Sequence, residues 1–362
     1  MIRVLYDGKT YIDALVTSVE WSGDIAKPYR TLTVQLSNTL DGDEQAINFE
    51  VGKEIRFYAD NAGLFRGIIF TYEVSQSGSA TITAYDENVY LTKNMDSRLI
   101  TNKTASAIIR EICSAFGVPV GTIADSGYVI PRMVLRNKDL WDMMLTALTE
   151  TSKQNGKKYR VYSSSGRLYL AERKDAAVRW MLEDGVNILT ASRSQSIEET
   201  RTTVKVIGGD DEKAPLTATA TDSAMKAKYG TMQHLETADS KLTQSQIQQL
   251  AKQRLADLAK VGEEVTVEAL GLADVVAGGA VYAFESMTDI AGGYYVSTDR
   301  HTWEGGVHRM SVTLSRTYDL PKLPYEDDEA AKASAKKKKK KKGGAEDQQY
   351  VDVMNGKTPV RD

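Results

Sequence analysis

Residues 1–90 consist of short runs of strand-forming residues separated by turn formers, and this pattern constrains the fold more than any other feature. Val, Ile, Thr and Tyr are frequent in the runs, whereas Gly, Asn, Asp and Ser fill the gaps. The run at 31–36 places Leu32, Val34 and Leu36 on one face. Six strands at this spacing predict a small antiparallel barrel or sandwich. The six runs are IRVLY, YIDALVTSVEW, YRTLTVQLS, EIRFYA, LFRGIIFTYEVS and SATITAYD.

Residues 98–180 change to a helical period. Thr104 is a candidate N-cap for a helix that Gly117 ends, and a second helix is predicted from about 139 to 154. A hairpin with its turn at 164–166 follows the second helix. The segment therefore predicts a small α+β domain. The buried stripe of its first helix is expected to contain Ile108, Ile109, Ile112 and Phe116.

From residue 181 to residue 322 the strand pattern returns, with one helix inserted. Thr200–Gly208 alternates strongly and predicts a strand of the second β module. Thr243 and Gln246 have the spacing of a capping box, which predicts the start of a helix over 243–260. The later segments are again typical of barrel strands, and Glu304–Gly306 is the predicted turn of a hairpin.

The predicted architecture is a β-rich α+β fold with a disordered C-terminal tail. Two small antiparallel β-barrel modules, at 1–97 and 181–322, flank the small mixed α+β domain at 98–180. Residues 323–362 contain few large apolar side chains, so they are predicted to be a flexible, lysine-rich tail. Deleting 325–362 is expected to leave the fold intact. The run Lys336–Lys342 favours either a solvated linker or an electrostatic contact with nucleic acid or an anionic membrane.

Composition excludes several classes of function. The net charge of −3 gives the whole chain no basic bias towards nucleic acid or membranes. The single cysteine, Cys113, excludes an intrachain disulfide and is predicted to be a buried core thiol. We read neither a secretory signal nor an apolar stretch long enough to span a membrane.

No recognisable active site, cofactor site or metal site is present in the sequence. One cysteine and the scattered His234, His301 and His308 do not provide a zinc site. His301 and His308 flank the hairpin turn and could face each other, although two histidines without a third ligand are more often surface residues. The glycine pairs at 208–209, 278–279 and 292–293 match no phosphate-binding pattern and predict turns, as does Gly208–Asp211. We therefore predict no catalytic, cofactor-binding or metal-binding residues and no enzymatic activity.

A series of motifs nevertheless resembles a known family of proteins. The motifs Gly52–Tyr58, Leu64–Ile69 and Ile82–Asp86 are similar to the first barrel of phage-tail hub proteins of the late control D and PBSX-like families. Further matching motifs continue along the chain to about residue 320, while the tail departs from the pattern. These further motifs are Tyr90–Asn94, Lys103–Ile109, Gly156–Tyr159, Asp184–Ile188 and Ser196–Thr200.

The resemblance implies a non-enzymatic hub in the baseplate of a contractile phage tail or a tailocin. Such hubs are trimers with two related barrels per chain, so six barrels match a hexameric tail tube on one side and a trimeric spike on the other. The implied partners are the tail tube protein, the central spike and other baseplate proteins, with the tape measure protein as a further candidate. The implied location is the virion or tail particle, assembled in the host cytoplasm, without sequence-specific nucleic-acid binding.

Two other functions stay open at the level of the sequence. Some tail proteins near this position degrade the cell wall, although no pair of carboxylates here has a recognisable spacing for glycoside cleavage. A receptor-binding or carbohydrate-binding tail module is the other alternative, because concave sites lined by aromatic side chains can bind small ligands.

Overall fold

The structure is a computed structural model that describes residues 1–164, 166–173, 178–208, 215–238, 242–317, 320, 322, 323 and 325. It therefore does not cover the Lys336–Lys342 run or most of the predicted turn at 208–211. The predicted disorder of the tail beyond residue 325 also falls outside the described residues.

The first β module contains every strand that the alternation predicts. A 3-10 helix at Asp13–Leu15 precedes the third strand, and another at Glu87–Thr92 leads into the mixed domain. The strands of this module are β1 (Ile2–Tyr6), β2 (Thr10–Tyr11), β3 (Val16–Asp24), β4 (Thr31–Ser37), β5 (Glu54–Ala59), β6 (Ala62–Val74) and β7 (Ser79–Tyr85).

The mixed domain contains two helices, a ribbon and a three-stranded sheet. Thr104 caps the first helix as predicted, with its side chain accepting the N–H of Ala107 at 3.2 Å, and Asp139 caps the second helix. The elements are β8 (Met95–Thr104), α1 (Ala105–Ala115), β9 (Val120–Ile123), β10 (Val129–Asp139), α2 (Leu140–Asn155), β11 (Tyr159–Ser164) and β12 (Arg167–Glu172). β8 pairs with β10, and β12 pairs with both β11 and the parallel β9.

The second β module is interrupted by an insertion at residues 200–260, which follows β14. The module consists of β13 (Trp180–Glu183), β14 (Ile188–Ser196), β18 (Gly262–Leu270), β19 (Ala280–Glu285), β20 (Ile290–Glu304) and β21 (Val307–Ser315). The insertion contains β15 (Thr203–Gly208), β16 (Leu216–Thr221), α3 (Ser223–Tyr229), β17 (Gln233–Thr237) and α4 (Gln244–Leu258).

The insertion is a three-stranded sheet with two helices, α3 and α4, where the sequence predicted one inserted helix. The predicted strand at 200–208 forms as β15, but it pairs with β16 and β17 and not with the strands of the second module. The capping box of Thr243 and Gln246 is confirmed at the start of α4. α4 packs on one face of this sheet, where Val204, Val206 and Ile247 form a separate core. Strand alternation identified β15 but could not identify its partners.

Two closed barrels are not confirmed. The strands of both modules belong to one 13-stranded sheet, and no pairing among the described residues closes either half into a barrel. The order runs β14-β18-β21-β20 in the second module and continues through β3-β4-β7-β6-β5-β1-β2 in the first, while β19 pairs with β20 and β13 with β19. Alternation predicts strands and hairpins because it is local, whereas closure depends on contacts between distant residues.

Each half of the sheet nevertheless has its own core. In the first module Val4, Leu32 and Phe57 are fully buried, and in the second module Val265, Val281 and Val312 have at most 1% exposure. The mixed domain has a third core, around Ile109, Met143 and Leu168. No helix in the described part of the chain is long and apolar enough to cross a membrane.

Gly67 shows why one motif of the first module contains glycine. A Cβ atom at this position would lie 2.3 Å from the carbonyl oxygen of Tyr85 and 2.5 Å from Cζ of Phe65. We expect Gly67→Ala to lower the free energy of unfolding by about 1–3 kcal/mol, because the neighbouring backbone must move. Gly63→Ala on the same strand is the matched control, since its nearest contact would be 3.4 Å away. Equal effects of the two substitutions in denaturant titrations would contradict this explanation.

Candidate functional site

The two β modules meet where β3 pairs with β20. The register joins seven residue pairs, from Thr298 opposite Asp24 to Glu304 opposite Ser18. Trp303 of β20 is buried in the core of the first module, where its ring lies 4.8 Å from that of Phe57 in an edge-to-face arrangement. We call this β3–β20 contact and its buried side chains the seam. It holds both modules in one fixed arrangement.

A buried ion pair lies near one end of the seam. Arg30 donates to both carboxylate oxygens of Asp299, with Nη1 at 3.0 Å from Oδ1. The Asp299 carboxylate is fully buried and also accepts the backbone N–H of Ala277 at 2.6 Å. The guanidinium of Arg30 stacks 3.7 Å from the ring centre of Trp21. Since a buried charge is tolerated only when it is paired and hydrogen-bonded, these contacts act as one unit.

His301 and His308 extend this buried network. Nδ1 of His301 lies 3.1 Å from Nε2 of His308, and Nε2 of His301 lies 3.0 Å from the carbonyl oxygen of Val275. A carbonyl only accepts, so neutral His301 carries its proton on Nε2 and accepts from His308 at Nδ1. His308 stacks on Trp303 with 4.0 Å between ring centres. The histidines do face each other, but His301 is fully buried and not a surface residue.

Burial and the neighbouring His301 lower the pKa of His308 to about 4, against the opposing effect of Asp60. Burial likewise lowers the pKa of His301. The folded protein therefore binds fewer protons than the unfolded chain between about pH 4 and pH 6.5, and these histidines destabilise it as the pH falls through that window. Burial raises the pKa of Asp86 to about 7, which acts in the opposite direction below pH 7.

We therefore expect the stability advantage of wild type over His308→Gln to shrink steadily as the pH falls from 6.5 to 4. Comparing thermal midpoints of the two proteins at each pH removes contributions that they share, including that of Asp86. Asp86→Asn is a control with the opposite pH dependence. The stability of wild type relative to this variant is expected to rise as the pH falls below 7, because protonation removes the buried charge of Asp86. A difference between wild type and His308→Gln that stays constant from pH 6.5 to pH 4 would contradict the assignment.

The mixed domain is fastened to the same region. Asp86 accepts the N–H of Arg30 at 2.8 Å and that of Asn88 at 3.0 Å, which ties the 3-10 helix entering the mixed domain to the end of the seam. The indole of Trp141 on α2 donates to the carbonyl of Ala26 at 3.1 Å. All three parts of the chain therefore meet around the seam.

The loop at 271–279 connects the second module to the other two parts. Val275 packs in the core of the second module, whereas Val276 packs against the core of the first. Arg160 on β11 donates to the carbonyl of Ala277 at 2.9 Å. Gly278 has a positive φ and lies beneath Arg160, so a side chain there would meet the guanidinium at 2.6 Å. The predicted turn at 278–279 is thus part of a junction between modules.

A cavity of about 340 Å³ lies at this junction, between β3, the β11–β12 hairpin and the 271–279 loop. Trp21 and Arg30 line it, and the indole N–H of the first and Nε of the second have no hydrogen-bond partner among the described residues. The cavity is wide enough for the water molecules that such buried donors need. Side chains of both charges line the cavity, including Lys27, Arg66 and Asp274.

The candidate reactive residues are not brought together as a catalytic or metal centre. Cys113 is a buried thiol of α1, and burial raises its pKa to about 12. His234 lies on β17 of the insertion, away from the two seam histidines in the pairing of the strands. Among the described residues, no three His, Cys, Asp or Glu side chains form a group that could hold a metal ion.

The sequence did not predict the Arg30–Asp299 pair of the seam. Arg30 and Asp299 are 269 positions apart, and neither lies in a motif with a recognisable spacing. The only local indication was the turn-forming composition of Ser22–Asp24, although this segment is the end of β3 and not a turn. Gly23 provides space for Arg30, because a Cβ there would lie 2.2 Å from Nη1 of Arg30. Without knowledge of the pairing between β3 and β20, that glycine indicated a turn and nothing more.

Comparison with known proteins shows that the chain is similar to a protein of a phage-like element. A family model described as YqbQ-like matches residues 19–315. The phage-like element PBSX protein XkdQ of Bacillus subtilis (strain 168) is 33% identical over 314 residues, covering 86% of this chain and 96% of XkdQ. The resemblance to PBSX-like proteins that the motifs indicated is therefore confirmed.

Two solved structures share the fold at low sequence identity. The 43 kDa tail protein of prophage MuSo2 from Shewanella oneidensis gives a TM-score of 0.69 at 13% identity, covering 87% of this chain and 97% of that chain. The E. coli c3393 protein, a type VI secretion component with structural similarity to the T4 tail proteins gp27 and gp5, gives 0.52 at 10% identity, covering 86% and 77%. Since the family model spans most of the chain and XkdQ matches almost end to end, this protein belongs to the YqbQ-like family.

Proposed function

We propose that this protein is a structural subunit of a phage tail or tail-derived particle, located at the baseplate and acting there as the central hub. The observation that carries the proposal is the seam, which fixes two β modules in one rigid arrangement. The buried Arg30–Asp299 ion pair and Trp303, which β20 places in the core of the first module, couple the two modules. The relationship to XkdQ of the phage-like element PBSX supports the same role.

In the finer form of the proposal the hub is a trimer. Three chains present six β modules, which match a hexameric tail tube on one side, while the threefold axis accommodates a trimeric spike on the other. The proposed units are 1–97, 98–180, 181–322 and the tail at 323–362. Barrel closure of the β modules, contractile or tailocin identity and assembly in the host cytoplasm belong to this finer proposal.

Light scattering on the full chain, alone and co-expressed with its spike protein, tests the trimer. We expect three copies of this chain per complex when the spike is present. A stoichiometry that is not a multiple of three in the co-expressed complex would overturn the symmetry-adaptor proposal.

The non-enzymatic part of the proposal has a separate test. Purified protein incubated with labelled peptidoglycan is expected to release no soluble fragments above a heat-treated sample. Release that disappears on substitution of a single carboxylate would favour the cell-wall hydrolase instead. Specific binding on a glycan array would favour the receptor-binding alternative.

A further inference from the structure

Three side chains that follow the last strand of the second β module pack on the mixed domain. β21 ends at Ser315 in the second module, yet Leu320, Leu323 and Tyr325 pack against the core of the mixed domain. We call these three residues the C-terminal anchor. Positions 323 and 325 belong to the predicted flexible tail, where no core contacts were expected, so the prediction is wrong for these two residues.

Three hydrogen bonds fix the anchor on α2 and β10. The Tyr325 hydroxyl accepts the backbone N–H of Val134 on β10 at 3.0 Å. On α2, Thr149 Oγ1 accepts the N–H of Leu323 at 3.2 Å, and the Glu150 carboxylate accepts the N–H of Tyr325 at 3.1 Å. The anchor is therefore held by hydrogen bonds from both its backbone and a side chain. Non-specific apolar packing would not need these hydrogen bonds.

The anchor lies on an edge that is otherwise open. β10 pairs with β8 alone among the described strands, in a register that places Val134 opposite Leu99. The Val134 N–H donates to Tyr325 and so belongs to the side of β10 that faces away from β8. An unpaired strand edge exposes backbone donors that bind extended segments readily. The Tyr325 hydroxyl satisfies one of these donors.

The local sequence suits an extended, reversible contact. Residues 320–325 read Leu-Pro-Lys-Leu-Pro-Tyr, and proline restricts the unbound chain, so less conformational entropy is lost on docking. Lys322 approaches Asp257 of α4 at 3.8 Å, but both side chains are more than 40% exposed, so this ion pair contributes little. The specific recognition therefore lies with the two leucines and the tyrosine.

We propose that the groove between α2 and the edge of β10 that faces away from β8 is a peptide-binding site for a Leu-x-x-Leu-x-Tyr segment, occupied by Leu320, Leu323 and Tyr325 of the same chain. Occupation of this site latches the residues that follow the second β module onto the mixed domain. The latch is independent of the proposed role in a tail.

Hydrogen exchange on the full-length protein tests the latch. Tyr325→Phe keeps the ring but removes the acceptor, so exchange of the Val134 amide is expected to rise about two- to tenfold, the range for one lost hydrogen bond. The double variant Leu323→Ala/Tyr325→Ala is expected to accelerate exchange along the outer edge of β10 and the C-terminal half of α2. Lys322→Ala is the matched control and is expected to change neither.

A second arm tests the groove itself. Adding a synthetic peptide of residues 318–329 to the double variant is expected to restore slow exchange at Val134, whereas the same peptide with Tyr325→Ala is not. Unchanged Val134 exchange in both anchor variants would overturn the latch. Faster exchange throughout both β modules would also overturn it, since the anchor would then be an integral part of the global fold. Failure of the unmodified peptide to restore protection would overturn the peptide-binding site.

Discussion

Asp299→Ala is expected to lower the free energy of unfolding by about 3–5 kcal/mol, the range measured when one partner of a buried ion pair is removed. The substitution leaves the Arg30 guanidinium, with only 17% side-chain exposure, without its carboxylate. It also removes the acceptor of the Ala277 N–H, which is buried. Both effects act at the seam, so the thermal midpoint is expected to fall as well.

The neighbouring position on β20 offers a matched control. Arg300 pairs with Glu20 at 3.5 Å, but its side chain is 64% exposed. Arg300→Ala is therefore expected to change stability by about 0–1 kcal/mol. Denaturant unfolding of both variants at one pH makes the comparison. If Asp299→Ala were no more destabilising than Arg300→Ala, the seam would not depend on the buried pair.

Trp303→Ala is the second substitution with a large expected effect, about 3–5 kcal/mol, as for other large-to-small changes of buried aromatic residues. Trp303 belongs to β20 but is buried in the core of the first module, against Phe57 and beside His308. Its loss opens a cavity on the first module's side of the seam. Circular dichroism during thermal unfolding is the suitable measurement, because the substitution itself alters tryptophan fluorescence.

Tyr282→Ala provides the comparison for Trp303→Ala. Tyr282 is an aromatic residue of β19 in the second module, but 45% of it is exposed. Tyr282→Ala is expected to lower the free energy of unfolding much less than Trp303→Ala, because little apolar area leaves a core.

The same unfolding curves of Trp303→Ala also report cooperativity. Because Trp303 couples the two modules, its loss is expected to broaden the unfolding transition. A thermal midpoint that falls no more than that of Tyr282→Ala, with an equally sharp transition, would contradict the coupling.

The local elements of this protein were largely predictable from sequence. All six runs of the first module form strands, and Thr104 and Thr243 cap helices where their spacing predicted. Alternation and capping are properties of neighbouring residues, so they can be predicted without tertiary information. The hairpin at β11–β12 also follows from its turn residues.

The insertion and the C-terminal anchor are features that local sequence patterns could not predict. β15 has the alternation of any half-buried strand, and nothing in its sequence indicates that its partners are β16 and β17. Tyr325 lies at the start of a segment with few large apolar residues, yet its hydroxyl accepts the N–H of Val134, 191 positions earlier. In both cases the deciding contact is with residues distant in sequence.

Residue types and their spacing were enough to predict the β-rich fold class, most of the strands and helices, and the family. The tertiary structure alone decided that both modules share one sheet, that Arg30 meets Asp299, and that His301 is buried beside His308. The physical reason is that strand period and helix capping are local free-energy terms. Sheet order, closure and buried ion pairs instead depend on which distant surfaces exclude water from one another.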